Sequence, residues 1–565
     1  MEQSRVYLDK TVRQLEMLRR EQRNLLVVSD LHLSEGFDEA EGLWSINEDF
    51  FFDDQFARCL QFAQRQRARY GGAPWRLILN GDIFDFRQVI VPRDDQVKQE
   101  IREKRLLEKR RTSATTEPAP SEEVYHLSLT EKNYGPGTSR VMSSWRVDRV
   151  YQGHKGFFQV LAWFVACGNE LVFIKGNHDI ELHWLKVQMG IKRQLCEAYE
   201  AAQDGGLYDL DWQGLPNALG RAELDRVYFL PWNYYEPKRV YIEHGQQFHS
   251  TDSEAYILWP VLPPEENELE LTLGDLFGRY FVNKLEELFP LMDNMKPFSK
   301  GMQWVLNKGI PSRLREGNLS GDLVELWAQL WNALRGARLI FEKNRAELVE
   351  FGQQRQDELK EYGDHAGLGA DCALELEALK SPPQLRSKRL IWRWLAVRAL
   401  EVFGVLLLLL AVVIALSAAV LVGAGVAFLG LKKAMMIYSA IGWVGAAVTR
   451  GLKLKMQRPD ETLAKKALEM HRVLHRHGKD VKYVFMGHDH NAAFQRLDAA
   501  LSREYGLSVE DCFYVNSGTW TAVIVHDQEL VPNATQFAFI RLVGDTAHLM
   551  RWNDAGGSWE PIVLH

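Results

Sequence analysis

The sequence predicts an α/β protein, and two patterns indicate this class. Short apolar, β-branched runs end abruptly at polar residues, and segments with helical character lie between several of them. Near-continuous apolar runs of this length are typical of strands covered on both faces, so their alternation with helices favours a central sheet. The predicted strand runs are Leu25–Asp30, Leu77–Asp82, Leu171–Asn177, Val240–Gly245, Tyr483–His488 and Phe513–Gly518, and helices are predicted at Asp53–Arg69 and Gly156–Cys167.

The length of the chain, 565 residues, exceeds what one hydrophobic core usually serves, so we expect more than one domain or a large insertion. The formal net charge of −7 does not indicate a globally basic protein, and nucleic acid is not an expected partner. The five cysteines are scattered and form no CxxC pair, which is typical of reduced thiols in the cytoplasm. The charged N-terminal segment lacks the apolar core of a secretion signal, so a cleaved signal is not expected.

Three segments interrupt the α/β pattern and suggest a division of the chain. Residues 1–255 and 451–565 carry the predicted strands and are assigned to one catalytic domain. Within it, residues 88–149 contain a charged run and a polar, proline-bearing stretch, which favours a flexible surface loop over the alternative of a substrate-gating lid. Residues 256–400 carry leucines and tryptophans at helical spacing, so we expect a helical insertion that packs as a cap, with a substrate groove as the alternative.

The third segment, residues 402–448, predicts a membrane element. Its first part, Val402–Leu431, contains no charged residue and is too long and too apolar for an ordinary core helix, although a buried pair of core helices is the alternative. We therefore expect residues 402–448 to form a hydrophobic helical hairpin in the membrane. Because the second arm is short, a hairpin that enters only one leaflet is a variant of this interpretation.

The topology of this hairpin follows from the position of the chemistry-bearing motifs. These motifs lie on both sides of residues 402–448, and one site needs both halves on the same side of the membrane, so an odd number of crossings is excluded. Lysines and arginines also flank the segment on both sides. By the positive-inside rule this favours a membrane-associated protein whose catalytic domain and both termini are cytoplasmic.

Polar residues with metal-binding side chains follow the predicted strands in five ordered pieces. Each piece alone is a weak signal, but the ordered set, with every piece directly after a strand, is hard to obtain by accident. Strand ends are also where chemistry collects in sheets of this type. The pieces are Asp30 and His32 in SDLHL, Asp82 in NGDIFD, Asn177 and His178 in GNHD, His244 in EHGQQFH, and His488 and His490 in GHDH.

These residue types fit the hydrolysis of phosphate esters, in which one anion must attack another. Two cations about 3.5–4 Å apart neutralise the phosphoryl oxygens and generate hydroxide from water at neutral pH. Imidazole, carboxylate and amide oxygen suit Mn²⁺, with Fe or Zn²⁺ as alternatives. Asp82 can use both carboxylate oxygens and bridge the two ions. Because the motifs contain no cysteine, a closed structural zinc site is disfavoured.

The five pieces resemble the D-x-H, G-D-x-x-D, G-N-H-[DE], H and G-H-x-H pattern of the calcineurin-like metallophosphoesterase superfamily. The resemblance covers Leu25–Gly245 and Tyr483–Gly518, and it implies an αββα sandwich with a dinuclear metal site. It also implies that His178 contacts the phosphate or protonates the leaving oxygen, and that Asp179 orients His178. The implied ligands are Asp30, His32, Asp82 and His490 for the first metal, and Asp82, Asn177, His244 and His488 for the second.

We therefore expect a membrane-associated, metal-dependent hydrolase of phosphate esters that uses two divalent ions and a metal-bound hydroxide. A phospholipid or a lipid-linked phosphate or pyrophosphate is the favoured substrate, because membrane anchoring helps most when the substrate is confined to the same plane. The alternatives are a tethered phosphodiesterase, nuclease or phosphatase acting on a soluble nucleotide or phosphoprotein. A non-catalytic scaffold is the alternative of another class.

Four further polar residues lie near the motifs and have less certain roles. We interpret Asp85 as a support for a metal ligand, and Arg87 as a solvated loop arginine with a phosphate contact as the alternative. His183 could contact substrate, support the site or lie at the surface. The same alternatives apply to His249.

Overall fold

The computed structural model describes most of the predicted catalytic domain and part of the helical insertion. The described residues are 2–89, 131, 134–261, 267–286, 328, 331, 332, 334, 345–386, 389–394, 463–497, 512–521 and 537–562. In chain order the strands are Asn24–Val28 (β1), Phe37–Asp38 (β2), Leu43–Trp44 (β3), Trp75–Asn80 (β4), Glu170–Ile174 (β5), Val227–Leu230 (β6), Asn233–Glu236 (β7), Val240–Glu243 (β8), Tyr483–Met486 (β9), Ala493–Arg496 (β10), Phe513–Asn516 (β11), Ala538–Val543 (β12), Thr546–Asn553 (β13) and Ser558–Pro561 (β14).

The α-helices complete a mixed α/β architecture, which confirms the predicted fold class at this level. Each of the two predicted helical segments overlaps an observed helix, and a single-turn π-helix at Gly278–Val282 extends the helix Leu273–Phe277. The helices are Glu2–Leu18 (α1), Asp53–Gln66 (α2), Arg140–Gly153 (α3), Lys155–Ala166 (α4), Leu185–Gln203 (α5), Arg221–Leu224 (α6), Leu273–Phe277 (α7), Asn283–Glu286 (α8), Arg345–Ala366 (α9), Ala370–Glu377 (α10) and Leu463–Arg476 (α11).

Two larger sheets form the centre of the fold. One has seven strands in the order β14-β13-β12-β1-β4-β5-β6, in which β1, β4, β5 and β6 run parallel. The other has five strands in the order β10-β11-β9-β8-β7, in which β8, β9 and β11 run parallel. Each of the six predicted strand runs contains one of these parallel strands. Because β1, β4 and β5 run in the same direction, their carboxyl ends lie at the same edge of the sheet.

Strand β1 shows why its sequence reads as a continuous apolar run. Leu26 and Val28 point into a core that helices α2, α3, α4 and α5 complete, whereas Leu25 and Val27 belong to a second core. The second core also contains side chains from the five-stranded sheet and from helices α1, α10 and α11. Successive side chains of a strand point to opposite faces of the sheet. A strand that is buried on both faces therefore carries apolar side chains at consecutive positions.

Helix α3 corrects the boundary of the predicted loop or lid at residues 88–149. The helix begins at Arg140, and its side chains Val141, Met142 and Trp145 are buried in the core. These three positions lie on one face of the helix, so the helix buries an apolar stripe although most of its sequence is polar. The interpretation as a flexible loop or lid is therefore wrong for residues 140–149, and residues 90–130 lie outside the described residues.

The predicted hairpin at residues 402–448 also lies outside the described residues. Among the helices in the described ranges, none has both the length and the apolar composition that crossing a membrane requires. The division of the chain into domains stays a prediction.

Candidate metal centre

The predicted metal ligands converge beyond the carboxyl ends of five parallel strands drawn from both sheets. His and Asp side chains form two main groups, and in each group the candidate ligand atoms lie within 4.8 Å of one another. The structure therefore contains His/Asp clusters that could hold metal ions. The first group is Asp30, His32 and His490, which follow β1 and β9, and the second is Asp82, His244 and His488, which follow β4, β8 and β9.

In the first group, a ring nitrogen of His32 faces other electron-pair donors. His32 Nδ1 lies 3.2 Å from Asp85 Oδ2, and an ionised carboxylate only accepts hydrogen bonds, so Nδ1 carries the proton. The lone pair of His32 is then on Nε2, which lies 3.2 Å from His490 Nε2. His490 Nε2 is in turn 3.4 Å from Asp30 Oδ1. Donor atoms brought together in this way fit the coordination of a cation.

The second group shows the same arrangement around His244. Its Nδ1 atom lies 2.8 Å from the backbone oxygen of Asn80, which can only accept, so Nδ1 carries a proton and Nε2 holds the lone pair when the ring is neutral. Nε2 faces Asp82 Oδ2 at 3.0 Å. The amide oxygen Oδ1 of Asn177 is also buried and has no hydrogen-bond partner within the described part of the chain. A buried oxygen without a donor is costly unless a cation or water satisfies it.

Burial and mutual contact perturb the protonation of these groups. Although burial opposes protonation, the carboxylates of Asp82 and Asp30 raise the pKa of His244 to about 10. Burial likewise opposes ionisation of Asp82, yet His244 and His178 hold the pKa of its carboxyl well below the usual range. The same carboxylates would attract a divalent cation in place of the proton between His244 and Asp82.

Backbone strain is concentrated at the predicted ligands. Positive φ is uncommon outside glycine and costs on the order of 1–3 kcal/mol per residue, so it persists only where the surroundings impose it. In the described part of the chain, the other non-glycine residues with positive φ are Lys238 and Phe537. The predicted ligands with positive φ are Asp30 (55°), His32 (55°), Asp82 (52°), His488 (73°) and His490 (59°).

The glycines of three motifs leave room for these side chains. A Cβ atom at Gly81 would lie 2.5 Å from the ring of His244, and one at Gly176 would meet the Asp82 carboxylate closer than 3.0 Å. A Cβ atom at Gly487 would overlap Asp30 in the same way, at 2.6 Å. The G in G-D, G-N-H-D and G-H-D-H is therefore required by the close approach of a ligand from a neighbouring loop.

Asp85, rather than Asp179, pairs with His178. Asp85 Oδ2 lies 2.5 Å from His178 Nδ1, and Asp85 also contacts His32. The Asp179 carboxylate instead accepts hydrogen bonds from the backbone amides of Gly176 at 2.7 Å and Ile83 at 2.9 Å. The expected contact of Asp179 with His178 is therefore corrected, because that carboxylate ties the G-N-H-D loop to the loop after β4. The support role of Asp85 agrees with its contacts to both rings.

Two further interpretations are corrected by burial. The Arg87 side chain is 11% exposed and contacts Asp275 of helix α7 and the backbone oxygen of Asn177, so it is not a solvated loop arginine. His183 is 1% exposed and packs against the rings of Tyr7 and Trp259, at centroid distances of 4.4 and 4.6 Å. Burial lowers the pKa of His183 well below its usual value, as expected for a neutral core histidine.

The predicted ligands open into a pocket of about 420 Å³. Its second wall comes from helix α7, the π-helix after it and the start of α8, which belong to the 256–400 segment. Among the described residues that line it, Arg87 is the one lysine or arginine. The sequence predicted a helical cap here, with a substrate groove as the alternative, but it did not identify the helix that lines the pocket, because no local pattern indicates which distant helix packs over the motifs. The lining residues from this segment are Gly274, Phe277, Gly278, Val282 and Asn283.

A scan against protein-family models gives no match for this chain, and a search of curated proteins gives no significant match. The interpretation of the centre therefore depends on its residues and their geometry.

Replacing Gly176 tests the packing of the centre without removing a ligand. Gly176→Ala should displace Asp82 and weaken divalent-metal binding by about 10–100-fold, the loss typical when the support of a ligand is disturbed. Gly190→Ala is the matched control, because the added methyl group meets its nearest neighbour at an ordinary 3.7 Å. The measurement is Mn²⁺ affinity by calorimetric titration. Unchanged affinity in Gly176→Ala would show that Asp82 does not bind the metal.

Proposed function

We propose that this protein is a metallophosphoesterase that hydrolyses phosphate esters at a dinuclear centre. The observation that carries the proposal is the pair of donor groups at the ends of parallel strands, beside His178 and an open pocket. The proposal includes the calcineurin-like αββα sandwich. It is supported by the two central sheets, with α2 to α5 packed in the core on one face of the larger sheet and α11 in contact with β9 and β11.

In this proposal two divalent ions share Asp82. The chemistry of the donors suits Mn²⁺, with Fe or Zn²⁺ as alternatives. When bound, such ions supply Lewis-acid stabilisation of the phosphoryl oxygens and a water nucleophile at neutral pH. The first ion would be held by Asp30, His32, Asp82 and His490, and the second by Asp82, Asn177, His244 and His488.

His178 is proposed to hold the proton for the leaving oxygen. Its side chain is 25% exposed and lines the pocket, while Nδ1 is held by Asp85. When the ring is protonated on both nitrogens, the Asp85 carboxylate stabilises the positive charge and occupies Nδ1, so Nε2 is the nitrogen left for the substrate. Nε2 can then donate to the leaving oxygen as the ester bond breaks.

Arg87 is proposed to bind a non-bridging oxygen of the substrate phosphate. Burial opposes its charge, but Asp275 and Asp85 raise the pKa of its guanidinium, so it stays positive in the pocket wall. A fixed guanidinium matches the planar fork geometry of phosphate recognition.

The preferred substrate is a phosphorylated lipid or a lipid-linked phosphate or pyrophosphate. Phe277 and Val282 give the second wall of the pocket an apolar surface. Phe277 also lies 5.0 Å, centroid to centroid, from Trp394, and residues 389–394 precede the predicted membrane hairpin in the chain. Trp392 in the same segment is 58% exposed. An apolar pocket wall in contact with a basic, tryptophan-bearing segment suits a substrate that lies in the membrane surface.

Two substitutions separate metal binding from proton transfer. Asp82→Asn should weaken binding of both ions, because it removes the charge they share. His178→Ala should keep the metal content and lower kcat by about 10²–10⁴-fold, as expected for loss of a general acid. Metal analysis and kinetics with a soluble phosphate ester measure both effects, with the exposed His475→Ala as control. Wild-type turnover in Asp82→Asn would contradict the dinuclear proposal.

A third substitution tests the substrate class. Phe277→Ala shortens the apolar wall and leaves every proposed ligand in place. Hydrolysis of a small soluble ester should stay within about threefold of the wild type, whereas hydrolysis of a lipid phosphate in mixed micelles should fall by about tenfold or more, the magnitude of 1–3 kcal/mol of lost apolar contact. Phe277→Leu is the conservative control. If the wild type cleaves soluble nucleotides far better than lipid phosphates, the tethered phosphodiesterase is preferred.

A further inference from the structure

His249 contacts a predicted metal ligand without belonging to either proposed metal site. Its Nδ1 atom lies 2.6 Å from Nε2 of His488, and the two ring centroids are 4.6 Å apart. Oδ2 of Asp252 lies 3.8 Å from the same Nε2 atom. His249, Asp252 and His488 thus form a further group of metal-binding side chains at the edge of the pocket.

The distance between the two nitrogens distinguishes a shared proton from a shared cation. Metal–nitrogen bonds of about 2.0–2.1 Å at roughly right angles or wider place two ligands about 3 Å or more apart. The 3.2 Å between His32 and His490 fits this spacing, whereas the 2.6 Å between His249 and His488 is shorter and fits a hydrogen bond between rings. The group of His249, Asp252 and His488 is therefore better explained by a shared proton than by another metal ion.

A shared proton also settles how His488 would bind metal. A neutral imidazole has one N–H and one lone pair, so His488 can offer only one nitrogen to a cation. If Nε2 donates its proton to His249, the buried Nδ1 atom remains for the metal beside Asp82 and His244. Ligating histidines generally donate their second nitrogen to such a partner, which fixes the tautomer and the orientation of the ring.

The loop that carries His249 is held on two sides. On one side, Lys175, which directly precedes the G-N-H-D motif, donates through Nζ to Glu254 Oε2 at 2.7 Å and to the backbone oxygen of Ile257 at 2.8 Å. The Lys175 and Glu254 side chains are buried, at 2% and 0% exposure. This buried ion pair between a lysine and a glutamate fixes the geometry of the loop, because separating the two side chains would leave a buried charge without a partner.

On the other side the loop is held by residues 380–384, here called the strap. The backbone amide of Ser381 donates to the oxygen of Gln247 at 2.8 Å, and its hydroxyl donates to the oxygen of Phe248 at 2.7 Å. Gln384 donates to Ser250 through its backbone amide at 3.1 Å and through Nε2 at 2.6 Å. These four hydrogen bonds fasten the residues on both sides of His249. The strap leads in sequence into residues 389–394.

We infer that His249 is a positioning residue for His488, and that the strap controls the affinity of the second metal by holding His249 in place. The inference rests on the proposed assignment of His488 as a ligand. The strap contributes no metal ligand itself, and under this inference it acts on the metal centre through His249.

The test is the Mn²⁺ affinity of the full-length protein with His249 changed to glutamine or leucine. Glutamine can accept a hydrogen bond from His488 Nε2 through its amide oxygen, whereas leucine cannot. His249→Leu should weaken one of two Mn²⁺ equivalents by about 10–100-fold, and His249→Gln should stay within a few-fold of the wild type. Calorimetric titration gives both affinities separately from catalytic turnover.

A double substitution in the strap, Ser381→Ala with Gln384→Ala, tests the same inference without touching the pocket. It should weaken the same Mn²⁺ equivalent, by a smaller factor than His249→Leu. This variant also keeps the inference testable if His249→Leu fails to fold, which thermal unfolding of the metal-free protein detects.

Three results would overturn the inference. Wild-type affinity in both His249→Leu and the strap variant would show that His249 does not position His488. Equal loss in His249→Gln and His249→Leu, together with a third Mn²⁺ ion in the wild type, would show that His249 is itself a ligand. In either case, two bound ions and intact ester hydrolysis would leave the proposed function standing. If the wild-type protein binds no Mn²⁺, both the inference about His249 and the proposed function are wrong.

Discussion

The constraint on which the candidate site depends is the burial of several electron-pair donors against one another. Asp30 and Asp82 are 0% and 1% exposed, and Nε2 of His244 faces the Asp82 carboxylate. Buried charges of one sign are expensive unless they are paired, so such a cluster needs either protons or cations. The raised pKa of His244 shows how strongly the carboxylates attract positive charge. The positive φ values and the packed glycines follow from the same constraint.

The fold meets this constraint by bringing strand ends together. Local sequence was sufficient to predict β1, β4, β5, β8, β9 and β11, because an apolar run that stops at a polar residue is a local signal. Strands such as β6 and β12 carry no such motif and were not predicted. Their positions depend on pairing with residues far away, as between Leu25 of β1 and Leu542 of β12. The sequence likewise indicated the ligand residues, which lie in local motifs, better than the residues that contact them, which are often far away in the chain.

The roles of Asp85, Asp179 and Arg87 illustrate this limit. All three lie inside or beside motifs, so the sequence marked them as candidates without indicating which atoms they touch. Asp85 stands between two histidine rings, Asp179 accepts hydrogen bonds from two loops, and Arg87 pairs with Asp275, which lies 188 positions further along the chain. A contact over that separation depends on how helix α7 packs over the pocket, and motif spacing carries no information about this packing.

We propose that the two donor groups hold two neighbouring metal ions. Electron paramagnetic resonance of the full-length protein titrated with Mn²⁺ tests it most directly, because ions about 3.5–4 Å apart couple magnetically. At saturation we expect two Mn²⁺ ions per chain and the spectrum of an exchange-coupled pair. A spectrum of isolated Mn²⁺ at saturation, or binding of a single ion per chain, would contradict it.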